Sequence, residues 1–237
     1  MTHAAAVSYR PPASVLAASV PKPRSHGALP RASNVLAVVA RPGQESVELG
    51  GLLYAYRRSG ARLALLCLTR GEASPLNASL ERLETLRPWE LQVAAGLLGV
   101  SSIAVVAYPD GRLRARRAAA QLTERVRREV RRQAPDLLLV IDPDDGSPDD
   151  VAVAAAAQRA GQRAGLAVLA RCMPGGRSGW LADLGPHAAA ARAAQRSAAG
   201  AHLSQADGLA GVQCRLGLLD GQERLRWVAL AHRKMTQ

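Results

Sequence analysis

Short unbroken apolar runs alternate along this chain with longer segments in which apolar residues return every three or four positions. The runs are Asn34–Ala40, Arg62–Leu68, Ser102–Ala107, Leu137–Ile141 and Ala167–Ala170. None alternates with polar residues, so each predicts a strand buried on both faces. The intervening segments predict helices. Glu45–Arg58 carries Leu49, Leu52, Leu53 and Tyr56 and is stopped by Gly60. Leu80–Leu98 contains Pro88, which predicts a kink or a fresh start. Ala118–Gln133 places Leu122, Val126 and Val130 on one face and its arginines mostly on the other. An alanine-rich helix follows Asp150 and runs to about Ala164. This alternation predicts an α/β chain with a three-layer, Rossmann-like fold: a mainly parallel sheet with helices on both faces. Beyond Met173 the pattern predicts a short strand at Trp180–Leu184, a helix at Ala188–His202 and an edge strand at Arg224–Ala231. Residues 1–33 carry prolines and arginines without an apolar core and predict a loosely ordered extension. A single domain is expected over residues 34–237.

Composition changes this picture little. No run of about 18 apolar residues exists, so no membrane span is predicted. The net charge is +12 and almost all of it is arginine. The arginines are scattered and no aromatics interleave with them, so solvated helix faces in an Ala/Arg-biased chain explain them better than a nucleic-acid surface. The three cysteines, Cys67, Cys172 and Cys214, form no CxxC pair. A reducing, cytoplasmic setting is expected, and no cofactor is predicted.

Polar turns end the first four runs: Arg41–Glu45, Thr69–Glu72, Tyr108–Gly111 and Asp142–Asp150. In a parallel sheet such turns share one edge and can face one cleft. The first reads Ala40-Arg41-Pro42-Gly43-Gln44-Glu45, with a glycine pair at Gly50-Gly51. Then come Thr69-Arg70-Gly71-Glu72-Ala73, Arg87-Pro88-Trp89-Glu90, Tyr108-Pro109-Asp110-Gly111, Ser147-Pro148-Asp149-Asp150 and His202-Leu203-Ser204-Gln205. In this order the motifs resemble those of the PIG-L/LmbE-like family of zinc-dependent N-acetylglucosaminyl deacetylases, over about residues 34–230. The family reads Ala-His-Pro-Asp-Asp-Glu in the first turn and His-Pro-Asp-His after the fourth strand.

The resemblance implies a zinc site and a general base, and the departures fall on both. The family's zinc ligands correspond to Arg41, Gln44 and Asp150, its base to Gly43, and its other catalytic histidine to Ser147. Arginine has no lone pair for a metal. A glutamine amide is a poor zinc ligand, and Gly43 has no side chain to take a proton. Residues that still match, Glu45, Arg87, Tyr108, Asp110 and Asp149, are the expected ligand pocket. The leading reading is a family member without zinc chemistry that binds a small-molecule ligand or a protein partner. A second is an enzyme of hydrolase or lyase type using Glu45, Asp142, Asp144, Asp149 or Asp150, with or without a hard cation such as Mg²⁺. A third is nucleic-acid binding through arginine. Arg41 is further expected to fill the metal's place by pairing with Asp150. The oligomeric state is left open.

Overall fold

The computed structural model describes residues 26–73, 82–115, 117–144, 146–172, 178–205 and 221–230. Strands β1 (His26–Ala28), β2 (Asn34–Val39), β3 (Arg62–Thr69), β4 (Ser102–Tyr108), β5 (Leu137–Ile141), β6 (Ala167–Arg171), β7 (Trp180–Asp183) and β8 (Gln222–Ala229) form one sheet of eight strands. Its order is β1-β7-β8-β6-β5-β2-β3-β4. All pairings are parallel except those of β8, which runs antiparallel to both β6 and β7. The expectation of a mainly parallel α/β sheet therefore holds. The expectation of an edge position for the last strand does not, because β8 lies inside the sheet. Buried charges hold it there: Glu223 meets Arg171 at 3.1 Å and Arg192 at 2.5 Å.

The strands are apolar on both faces because both faces are covered. On β2, Val35, Ala37 and Val39 enter one core, packed with residues of α2 (Gly50–Arg58), α3 (Leu83–Leu97) and α6 (Ala188–Gly200). Leu36 and Val38 enter the other, with α4 (Ala118–Gln133) and α5 (Pro148–Ala164). The first expected helix is split into α1 (Gln44–Val47) and α2. The carbonyl of Val47, which a continuous helix would pair with Gly51, instead accepts Gln195 Nε2 at 2.9 Å. Helix α3 runs through Pro88 without interruption. The carbonyl that Pro88 leaves unpaired belongs to Glu84, in an exposed first turn where solvent reaches it.

The fold begins before Asn34: β1 pairs with β7, and the backbone amides of Ser33 and Asn34 donate to Asp136 at 2.8 and 3.0 Å. The expected loose extension is corrected to that extent, since residues 26–33 belong to the fold. Residues 1–25, Asp145, Cys214 and the start of the expected helix at Leu80 lie outside the described residues. Among the described residues, no helix is long and apolar enough to cross a membrane.

From β2 the chain passes to β3 and β4, then returns past β2 to β5 and β6. The connections leaving β2 and β5 diverge, so the crevice at their carboxyl ends is the topological switch point, where open α/β sheets bind ligands.

The Gly50-Gly51 pair lets α6 approach closely. A Cβ on Gly51 would come to 2.8 Å from Arg192 Nη1 and 3.0 Å from Glu223 Oε1, a pair that is buried and cannot yield without losing its bonds. Gly51→Ala should destabilise by about 1–3 kcal/mol. Gly96→Ala, in α3 with nothing within 4 Å of the new methyl, should stabilise by about 0.5–1 kcal/mol. Urea denaturation of the two variants checks the contrast.

Candidate functional site

The turn after β2 is tight because Gly43 adopts φ 99°, a region that disfavours other residues. Its carbonyl then accepts the amides of Ser46 and Val47 at 3.2 and 2.9 Å and starts α1. Gln44 folds back over the turn. Its Oε1 accepts the amides of Ala40 at 3.0 Å and Arg41 at 3.1 Å, and its Nε2 donates to Asp150 Oδ1 at 2.8 Å. Asp150 Oδ2 accepts both the amide and the hydroxyl of Ser147, at 2.8 and 2.7 Å. This is the capping box of α5. Gln44, Ser147 and Asp150 thus meet across the switch-point crevice, joined by hydrogen bonds alone.

Arg41 does not take the position expected for it. Asp150 is held by Gln44 and Ser147, and among the described residues no ion pair joins Arg41 to it. The expected pair is replaced because Gln44, three residues along the same turn, reaches the carboxylate first.

The residues expected to line a ligand pocket are likewise taken up by bonds to the surrounding turns and helices. Glu45, fully buried, accepts the Gly43 amide at 2.9 Å and the Ser46 hydroxyl at 2.7 Å, and lies 2.6 Å from His202 Nε2. Arg87, also buried, donates to the Gly71 carbonyl and to Ser204 Oγ. Burial pulls its guanidinium below the ordinary value, against the pull of Glu90 and Asp110. Asp110 accepts Thr69 Oγ1 at 3.3 Å and the Ala73 amide at 3.1 Å, while its own amide donates to Glu72 at 2.9 Å. Asp149 accepts the amides of Gly111 at 2.8 Å and Leu113 at 3.0 Å, fastening the β4 turn to α5. Burial pushes the Asp149 carboxyl up, and these two amide bonds pull against it. Tyr108, half-buried, packs its ring on the α4/α5 core.

Of the carboxylates offered as an alternative acid/base or cation site, Asp142 and Asp144 share one arginine. Asp142 is gripped by Arg226 through both nitrogens and oxygens, and also receives the Cys172 thiol at 3.0 Å. Asp144 meets the same arginine at 3.0 Å. Among the described residues, no cluster of three or more His, Cys, Asp or Glu could hold a metal ion. On α4, Arg125 and Arg132 pair with the buried Glu129, and Arg127 and Arg131 with the more exposed Glu124.

Sequence reasoning gave the His202-Leu-Ser204-Gln205 motif no task. In the structure, three of its residues clamp three parts of the site. His202 meets Glu45, Ser204 donates to both Glu90 oxygens at 2.7 and 2.6 Å, and Gln205 donates to the Pro42 carbonyl at 3.3 Å. The motif's spacing was the available signal; its targets lie far away in the chain.

A three-layer α/β protein with a hydrogen-bonded polar site at its switch point is the class so defined. The family model described as PIG-L, GlcNAc-PI de-N-acetylase, matches residues 36–161, over half of the chain. The chain belongs to this deacetylase-like family. A probable N-acetyl-alpha-D-glucosaminyl L-malate deacetylase 2 of Bacillus anthracis is 33% identical over 82 residues, covering 32% of this chain and 36% of the relative. The chain thus matches about a third of that relative's length. A conserved protein of Thermus thermophilus superposes with a TM-score of 0.67 at 22% identity, over 82% of this chain and 94% of the other. The N,N'-diacetylchitobiose deacetylase of Pyrococcus horikoshii does so with 0.60 at 19%, over 83% and 84%. Both likenesses show the fold.

The geometry sets two expectations. Gln44→Ala and Asp150→Ala should each cost about 1–3 kcal/mol, since each strands a buried polar partner, and the double variant should cost less than the sum. Arg41→Ala should stay within about 0.5 kcal/mol; denaturant titration of all four variants decides. The second concerns acid. Burial would raise the Asp142 carboxyl, but Arg226, Cys172 and the Asp144 amide outweigh it and hold it below the usual range. A depressed folded pKa contributes stability that is present above the unfolded value, about 3.9, and lost as pH falls through the folded one. Asp142→Asn should therefore flatten the loss of stability below about pH 4, read from thermal unfolding at stepped pH.

Proposed function

We propose that this chain is a family member without zinc-dependent de-N-acetylation, and that it keeps the switch-point crevice as a binding site for a small ligand. The bonding of Gln44 carries the reading. A zinc ion at this place needs three protein donors with free lone pairs. Arg41 has none. Gln44 Oε1 already accepts two backbone amides, and Asp150 has both oxygens in hydrogen bonds. The residues present do not fit the metal, and Gly43 leaves no group to take a proton from water. The Ser147 hydroxyl, the counterpart of a catalytic histidine, is engaged in a helix cap.

The supporting frame of the site stays well bonded, which agrees with a binding role for the crevice. On this reading the fold from residue 26 onward acts as a single domain in the cytoplasm, where the buried cysteines Cys67 and Cys172 stay reduced. On the same reading nucleic acid is not a partner.

The purified protein should contain far less than one zinc per chain by elemental analysis, also after incubation with zinc and desalting. It should release no acetate from N-acetylglucosaminyl substrates. Stoichiometric zinc that disappears in Gln44→Ala or Asp150→Ala, together with acetate release, would overturn the proposal.

A further inference from the structure

We propose that Arg41 anchors an anion site, so that the ligand of this crevice carries a carboxylate or phosphate group. The inference rests on the reading above, in which no zinc occupies the carboxyl edge of the sheet. Arg41 follows β2 directly and is half-buried at the switch point. Among the described residues its guanidinium has neither an ion pair nor a hydrogen bond, and only its backbone is bonded, amide and carbonyl both to Gln44.

The acids around it are each engaged by other donors, although the Arg41 charge also acts on Asp149. Asp150 is held by Gln44 and Ser147, Asp149 by the Gly111 and Leu113 amides, Glu45 by Gly43, Ser46 and His202, and Asp110 by Thr69, Gly111 and Ala73. The fold does pair arginines elsewhere: Arg171, Arg192 and Arg226 each meet a carboxylate. The Arg41 charge is felt by Cys67, Arg87 and Asp149, from β3, α3 and α5. It therefore sits among the elements that converge on this edge.

A guanidinium in such a place forgoes its charge-assisted bonds until an acceptor arrives. Its planar fork matches two oxygens of a carboxylate or a phosphate. A neutral sugar hydroxyl makes no comparable use of a fixed cation. Where the family's pattern places a metal ligand, this chain offers the cation itself.

The test is calorimetric titration of the full chain with inorganic phosphate, with acetate, and with neutral N-acetylglucosamine. Ionic strength is held constant, because a chain of net charge +12 attracts anions diffusely. Saturable binding of one equivalent of phosphate or acetate is expected, and which of them binds identifies the ligand group. Arg41→Gln should weaken it by roughly tenfold or more. Arg41→Lys should weaken it less, and Arg70→Gln, an exposed arginine on the neighbouring loop, should leave it unchanged. Since Arg41 has no side-chain partner among the described residues, Arg41→Gln should melt with the parent chain. Absence of saturable binding by either anion, or equal binding by Arg41→Gln, overturns the inference. Zinc is measured on the same samples: a zinc-free protein that ignores both anions sinks only this inference, whereas stoichiometric zinc sinks the reading beneath it.

Discussion

One side-chain amide ties the turn after β2 to the start of α5 at the carboxyl edge of this sheet. The chain leaves β2 in one direction and β5 in the other, which opens a crevice whose backbone groups need partners. Gln44 supplies them: its oxygen takes two amides of its own turn and its nitrogen crosses to Asp150. An unbonded buried amide or carboxylate would cost about 1–3 kcal/mol, so each of these groups constrains the next. Asp150 is in turn fixed by Ser147, which sets the start of α5, and Asp149 beside it fixes the turn after β4. The arrangement of the whole carboxyl edge follows from saturating these polar groups.

The C-terminal part of the chain completes the same task from the other side. The 3-10 turn at Leu203–Gln205, with His202 before it, ties Glu45, Glu90 and Pro42 into one unit. Strand β8 enters the sheet against the parallel grain and brings Glu223 between Arg171 and Arg192. Buried ion pairs of this kind add little net stability, because desolvation opposes the attraction, but breaking one strands a charge. In this fold they fix where β8 and α6 sit. The closeness of α6 is also why two adjacent residues must be glycine.

Function, on the proposed reading, follows from what this saturation leaves over. On that reading the metal of a zinc-dependent deacetylase would supply the positive charge at the switch point. Here the groups at the corresponding positions bond to one another, and the cation is a side chain. Such a site is suited to holding an anion rather than to polarising an amide, with the scaffold around it kept.

The apolar runs and helical spacings determined the layers, the parallel sheet and the edge on which the site lies, because burial on both faces of a strand and on one face of a helix is a local property of the sequence. The motif order likewise determined the family and picked out Arg41, Gly43 and Gln44. The partners of those positions were decided only by the tertiary structure. Arg41 and Asp150 looked like a pair in the sequence, since opposite charges at two motif positions attract. In the folded chain the turn geometry lets Gln44 reach Asp150 first, and the guanidinium is left over. The interior place of β8 and the clamp by His202, Ser204 and Gln205 were equally hidden, because their partners lie a hundred or more residues away or on another strand, and no local pattern encodes which buried carboxylate a distant side chain will meet.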